Sequence, residues 1–145
     1  MKYRTEIDID LPRAKVVALY ADHDNYQHWQ PSLLKIERLK GQGFEVGSQA
    51  RLTVKMGKRQ MDMTETISRN DLPEGVDQIY ETSGVYNKNI NTFIEVDKTK
   101  TRWVQENIFE FEKFPMKLLG TLMPGAFKKQ SQKYMADFKR FAQAQ

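Results

Sequence analysis

Cysteine is absent from the chain. That excludes disulfides, thiol nucleophiles, thiolate-bound metals and iron–sulfur clusters, and it makes a cytoplasmic setting the simpler expectation. Long apolar runs are missing as well. The opening MKYRTEIDIDLP alternates charged with apolar residues, so it reads as neither a secretory signal nor a membrane span. Histidine is scarce, with only His23 and His28, five residues apart. Five is not the i,i+4 ligand spacing of a helix and there is no third histidine, so no metal site is expected. GQGFEVGS lacks the GK[ST] ending of a phosphate loop, and no serine stands in a G-x-S-x-G context. No cofactor is expected.

What is present is a chain of 145 residues, 39% of them hydrophobic, enough for one domain around one core without cross-links. Its net charge of +4 is unevenly distributed. Residues 1–112 carry 16 Lys plus Arg against 18 Asp plus Glu, whereas residues 113–145 carry seven basic residues against Asp137 alone. Such a basic end suits a solvated helix face, or contact with an anionic membrane or an acidic partner. There is no zinc-finger spacing, aromatic–basic single-strand motif or arginine-rich arm, so nucleic acid is not an expected partner.

Apolar periodicity divides the chain. Tyr3, Thr5, Ile7, Ile9 and Leu11 alternate with Arg4, Glu6, Asp8 and Asp10, which predicts a half-buried strand. Pro12 fits the first turn of a short helix carrying Ala14, Val17, Ala18 and Ala21. A second short helix is expected over Asp24 to Gln30, anchored by Tyr26 and Trp29 and stopped by Pro31. Strands then follow from Leu34 to about Gly41, Arg51 to Met56, Arg59 to Ile67, Val76 to Ser83, Tyr86 to Val96 and Thr101 to Phe111, with Gly84 fitting a bend, a bulge or a hairpin turn. From about Phe114 to Gln145 a long helix is expected, interrupted near Pro124-Gly125, with Phe127, Tyr134, Met135, Phe138 and Phe141 on one stripe. That stripe needs a concave apolar surface, and the strands are the only candidate of sufficient area.

One strand, two short helices, an antiparallel run and a long terminal helix together resemble the helix-grip fold of the START-like superfamily, also called the polyketide cyclase and dehydrase-like, birch-pollen-allergen-like or SRPBCC group. The resemblance covers nearly the whole chain: the first strand running into Pro12, the Asp22 to Trp29 region with Pro31, and the terminal PGAFKKQSQKYMADFKRF helix. It implies an α+β fold in which a curved sheet of six or seven antiparallel strands wraps the terminal helix. It also implies a cavity between them for a lipid, a quinone or an aromatic or polyketide-like metabolite, or alternatively a cofactor-independent cyclase or dehydratase. None of these segments is a catalytic signature.

Strand faces supply the candidate site. Met56, Met61 and Met63, with Met116, Met123 and Met135 further on, suit either a loosely specified cavity or ordinary core filling. Glu65 shares a face with Met61, Met63 and Ile67; Glu81 lies between Ile79 and Ser83, and Glu106 between Val104 and Ile108. On the last strand the face of Trp103, Gln105, Asn107, Phe109 and Phe111 has the larger aromatic content and is preferred as the inner one. On the strand before it, Tyr86, Ile90, Ile94 and Val96 form a more core-like face than Asn87, Asn89, Asn91 and Phe93. The expected ligand contacts from the sheet are therefore Met56, Met61, Met63 and Glu65, then Tyr80, Tyr86, Trp103, Gln105, Asn107 and Phe109. Trp29 joins them from the short helix, and Met123, Phe127 and Tyr134 from the terminal one. His28, Glu65, Glu81 and Asn107 are the candidates for proton transfer, whereas His23, Asp24 and Asn25 suit surface or capping roles.

Overall fold

In a computed structural model that describes residues 1–112 and 124–145, seven strands pair into one antiparallel sheet. The elements run β1 (Lys2–Ile9), α1 (Arg13–Tyr20), a 3-10 turn (His23–Asn25), α2 (Tyr26–Trp29), β2 (Leu33–Lys40), β3 (Gln49–Met56), β4 (Arg59–Asp71), β5 (Gly75–Thr82), β6 (Val85–Asp97), β7 (Lys100–Phe111) and α3 (Pro124–Gln143). Strand order is β1-β7-β6-β5-β4-β3-β2. From β2 to β7 each strand pairs antiparallel with the next in sequence, and β1 closes the far edge against β7, so only the connection from β1 to β2 must cross from one edge to the other. The two short helices make that crossing, which turns them into a plug at one end of the sheet.

The concave face receives α3. Met135, Phe138 and Ala142 recur at helical spacing and are fully buried, while Lys128, Lys129 and Arg140 stay exposed. The expected helical start from Phe114 to Met123, including Met116, lies outside the described residues. Between plug and sheet, Tyr20 is the hub of an aromatic cluster, with the rings of Trp103, Phe93 and Phe138 edge-on to it at 5.2, 5.3 and 5.7 Å. Edge-to-face contacts of this kind add to the large area that each ring buries. Gly84, at φ +75°, makes the hairpin turn that joins Thr82 to Val85, a conformation that suits a residue without Cβ.

One expectation about a strand face is reversed. The inner face of β6 carries Asn87, Asn89, Asn91 and Phe93, paired with Phe109, Asn107, Gln105 and Trp103 of β7. Ile94 and Val96, the expected core residues, are 42% and 44% exposed. The cause is a register shift between Glu95 and Asp97. Counting back from the turn pair Asp97↔Lys100 would put Ile94 opposite Trp103; the irregularity moves Phe93 there instead and turns all earlier side chains to the other face. On β4 and β7 the preferred faces do point inward.

Truncation should separate the two faces. Phe93→Ala, which removes a fully buried ring, is expected to cost about 3–5 kcal/mol. Val96→Ala should stay within about 0.5 kcal/mol. Urea unfolding of both variants measures the difference, and equal losses would contradict the assignment.

Candidate functional site

A buried carboxylate organises the inner face of the sheet. Glu65 on β4 is 1% exposed, and taking its charge out of water would cost several kcal/mol without partners. It has four. Its Oε2 accepts from the Tyr80 hydroxyl at 2.7 Å, the Tyr26 hydroxyl at 2.9 Å and Gln78 Nε2 at 3.1 Å, and its Oε1 lies 2.7 Å from His23 Nε2. The other ring nitrogen of His23 faces Arg38 Nη2 at 3.3 Å. A guanidinium can only donate, so Nδ1 accepts and Nε2 carries the hydrogen given to Glu65. With donors on both oxygens, Glu65 is in the ionised, accepting form.

From Glu65 a chain of side-chain amides crosses four strands. Gln78 Oε1 accepts from Asn91 at 3.1 Å, and Asn91 Oδ1 accepts from Gln105 at 3.0 Å. Gln105 Oε1 accepts from Asn107 at 2.8 Å, and Asn107 Oδ1 accepts from Asn87 at 3.2 Å. Every link donates toward the carboxylate. Because an ionised carboxylate only accepts, it fixes the orientation of Gln78, and each amide fixes the next. Tyr20 and Trp103 join from the aromatic cluster, donating to Gln78 Oε1 at 2.6 Å and to Asn91 Oδ1 at 2.9 Å.

Beside this chain lies a cavity of about 350 Å³ between the sheet and α3. Of the expected contacts, Trp29, Met56, Met61, Met63 and Tyr80 line it, as do Trp103, Gln105, Asn107 and Phe109 from the sheet and Phe127 and Tyr134 from α3. Leu52 and Val54 of β3 add to its apolar wall, and Tyr3 donates to or accepts from Ser131 of α3 at 2.6 Å on the opposite side. Met123 lies outside the described residues.

Several expectations are corrected. Glu65 does not line the cavity but sits behind Tyr80, which does. Tyr86 pairs with Glu81 and Glu110 on the outer face of the sheet, for the same register reason as Ile94. Glu81 borders the cavity only from that exposed outer register, and Glu106 is exposed. His28 stacks on Phe141 with ring centres 5.7 Å apart, away from the cavity. His23, read as a surface or capping residue, is part of the buried network. Its partner is 42 residues away in sequence, so no local pattern could reveal it. Asp22 supplies the cap instead, accepting from the backbone N–H of Asp24 at 2.9 Å. Asn89 and Asn91 were also missed, hidden by the inverted face of β6.

The family model for polyketide cyclase / dehydrase and lipid transport matches residues 1–143. No curated protein matches the sequence. Among solved structures, a conserved protein from Geobacillus kaustophilus is similar at 10% identity and TM-score 0.82, over 99% of this chain and 96% of its own. The Zhui aromatase/cyclase from Streptomyces sp. R1128 is similar at 14% identity and TM-score 0.80, over 99% and 93%. Norcoclaurine synthase from Thalictrum flavum, solved with dopamine and hydroxybenzaldehyde, is similar at 13% identity and TM-score 0.72, over 99% and 87%. At these identities the likeness is one of fold.

The tyrosines around Glu65 generate a pH prediction. Burial, and next the Glu65 charge, push the hydroxyls of Tyr20, Tyr26 and Tyr80 above the ordinary value of 10.0. The folded state therefore holds protons that the unfolded chain releases, so the stability they contribute is complete below about pH 10 and declines above it. Tyrosinate absorbance and circular dichroism followed together should show these three ionising only as the fold is lost. Ionisation of all six tyrosines near pH 10 with the fold retained would contradict this.

Proposed function

The chain belongs to the polyketide cyclase / dehydrase and lipid transport family, and from that premise we propose that it binds a hydrophobic small molecule in the cavity between the sheet and α3. Its fold is typical of proteins of this superfamily that bind hydrophobic ligands. One observation carries the reading: an apolar and aromatic cavity with a strip of oriented amides along one wall. Concave apolar sites with a few placed polar groups are the usual form of a small-molecule site. A volume of about 350 Å³ lies at the small end of such sites. It suits an aromatic, quinone-like or single-chain molecule better than a diacyl lipid.

Three of the four proton-transfer candidates, all but Glu81 at the cavity border, are not placed for cyclase or dehydratase chemistry. A proton-transfer catalyst needs a group with an unengaged proton or lone pair facing the substrate. Both oxygens of Glu65 are engaged, and the proton of Tyr80 is committed to Glu65 with its hydroxyl shifted further from acidity. Asn107 is an amide, and His28 lies outside. On α3, Lys133 and Arg140 pair with Asp137 at 2.8 and 3.2 Å, while Lys128 and Lys129 are exposed.

N-phenyl-1-naphthylamine, an apolar fluorescent probe, should bind the wild-type protein with one-to-one stoichiometry. Val54→Trp fills the cavity from β3 and should weaken that binding at least about tenfold, a loss of roughly 1.4 kcal/mol, with the fold retained by circular dichroism. Undiminished binding in the variant, or none in the wild type, would remove the reading.

A further inference from the structure

All the sulfur in this chain is thioether sulfur. Without cysteine, methionine is the one residue type here that takes up an oxygen atom reversibly. The methionines among the described residues differ widely in exposure: Met135 is fully buried, Met1, Met61 and Met63 are half-buried, and Met56 is 56% exposed. Exposure decides which thioether a dissolved oxidant meets first. Oxidation at Met56 leaves the core intact, whereas a sulfoxide at Met135 would be buried among apolar side chains.

Met56 also has a particular place. It ends β3, pairs with Arg59 across the Gly57-Lys58 turn, and lines the cavity while more than half open to water, so it stands at the mouth. Met61, two residues beyond Arg59 on β4, is its diagonal neighbour on the same face, and Met63 follows. Thioethers are weak acceptors that adapt their shape to what passes, which keeps this stretch of rim apolar. A sulfoxide is polar and chiral, and its oxygen is hydrated until a ligand covers it. Val54, Met61 and Met63, the lining side chains that flank Met56 on the hairpin, offer no donor in exchange for that water.

We propose that Met56 is an oxidation site that sets how tightly the cavity holds an apolar ligand: a hydroperoxide converts it to the sulfoxide and binding weakens, and enzymatic reduction of the sulfoxide restores it. The proposal rests on the cavity being the binding site and adds what regulates it. In the oxidation step the Met56 sulfur attacks the outer oxygen of the hydroperoxide. An S–O bond forms as the O–O bond breaks, the hydrogen on the attacked oxygen passes to the departing one, and water or an alcohol leaves. Sulfur is oxidised by two electrons and the peroxide is reduced by two.

The test treats the intact chain with hydrogen peroxide, destroys the excess with catalase, locates the added oxygen by peptide mapping, and titrates N-phenyl-1-naphthylamine before and after. Met56 should be oxidised ahead of Met61, Met63 and Met135. With the fold retained by circular dichroism, protein oxidised at Met56 is expected to bind the probe at least about threefold more weakly. Methionine sulfoxide reductase should restore the original affinity. Met56→Leu, whatever its own affinity, should bind equally before and after the same treatment. Met56→Gln, with a polar amide in place of the thioether, should show the loss without any oxidant. Unchanged affinity with Met56 converted, an equal loss in Met56→Leu, or oxidation of Met135 ahead of Met56 overturns the proposal and leaves the cavity reading standing. If the untreated wild-type protein does not bind the probe, both fall.

Discussion

A single buried negative charge sets the terms for the interior of this protein. Glu65 can be 1% exposed only because His23, Tyr26, Gln78 and Tyr80 deliver donors to it from three parts of the chain. Those donors come from the 3-10 turn, α2 and β5, so satisfying the carboxylate also fixes the plug against the sheet. Removing any partner would leave a charge or a polar group unsatisfied in a dry environment, which costs more than the net gain of an average hydrogen bond. The position of the plug and the ionisation of Glu65 are therefore one constraint.

The same charge divides the concave face in two. At the plug end, Tyr20, Phe93, Trp103 and Phe138 pack ring against ring around α3 and leave no part of themselves to a ligand except where Tyr20 and Trp103 border the cavity. Toward the other end, the oriented amides replace packed apolar groups along β6 and β7, and α3 meets the sheet through Phe127 against Phe109 and Phe111. Amides that are fully engaged with one another need no further apolar cover, which lets the sheet present a polar strip without destabilising the fold. Cavity and network are in this sense complementary products of one strand pattern.

Much of the architecture was legible in the sequence because it rests on local periodicity. The alternation of β1, the stripe of Met135 and Phe138 on α3, and the aromatic face of β7 each follow from residues within one element. What was not legible depends on contacts between elements. The face of β6 turns on an irregularity near Val96 that composition does not mark, and with it went Asn89, Asn91 and the placement of Tyr86. Hydropathy also misleads there, since Asn91 is fully buried and Ile94 is not. Glu65 was recognisable as a carboxylate on an apolar face, but its pairing with His23 requires knowing that the turn after α1 lies over β4.

The central claim is that Glu65 orients amides it does not touch. Gln105 is joined to it only through Asn91 and Gln78. A double-mutant cycle of Glu65→Gln and Gln105→Leu, read by urea unfolding, measures that connection directly. The account predicts a coupling of at least about 0.5 kcal/mol between the two sites. Additive losses, with coupling below about 0.3 kcal/mol, would contradict it.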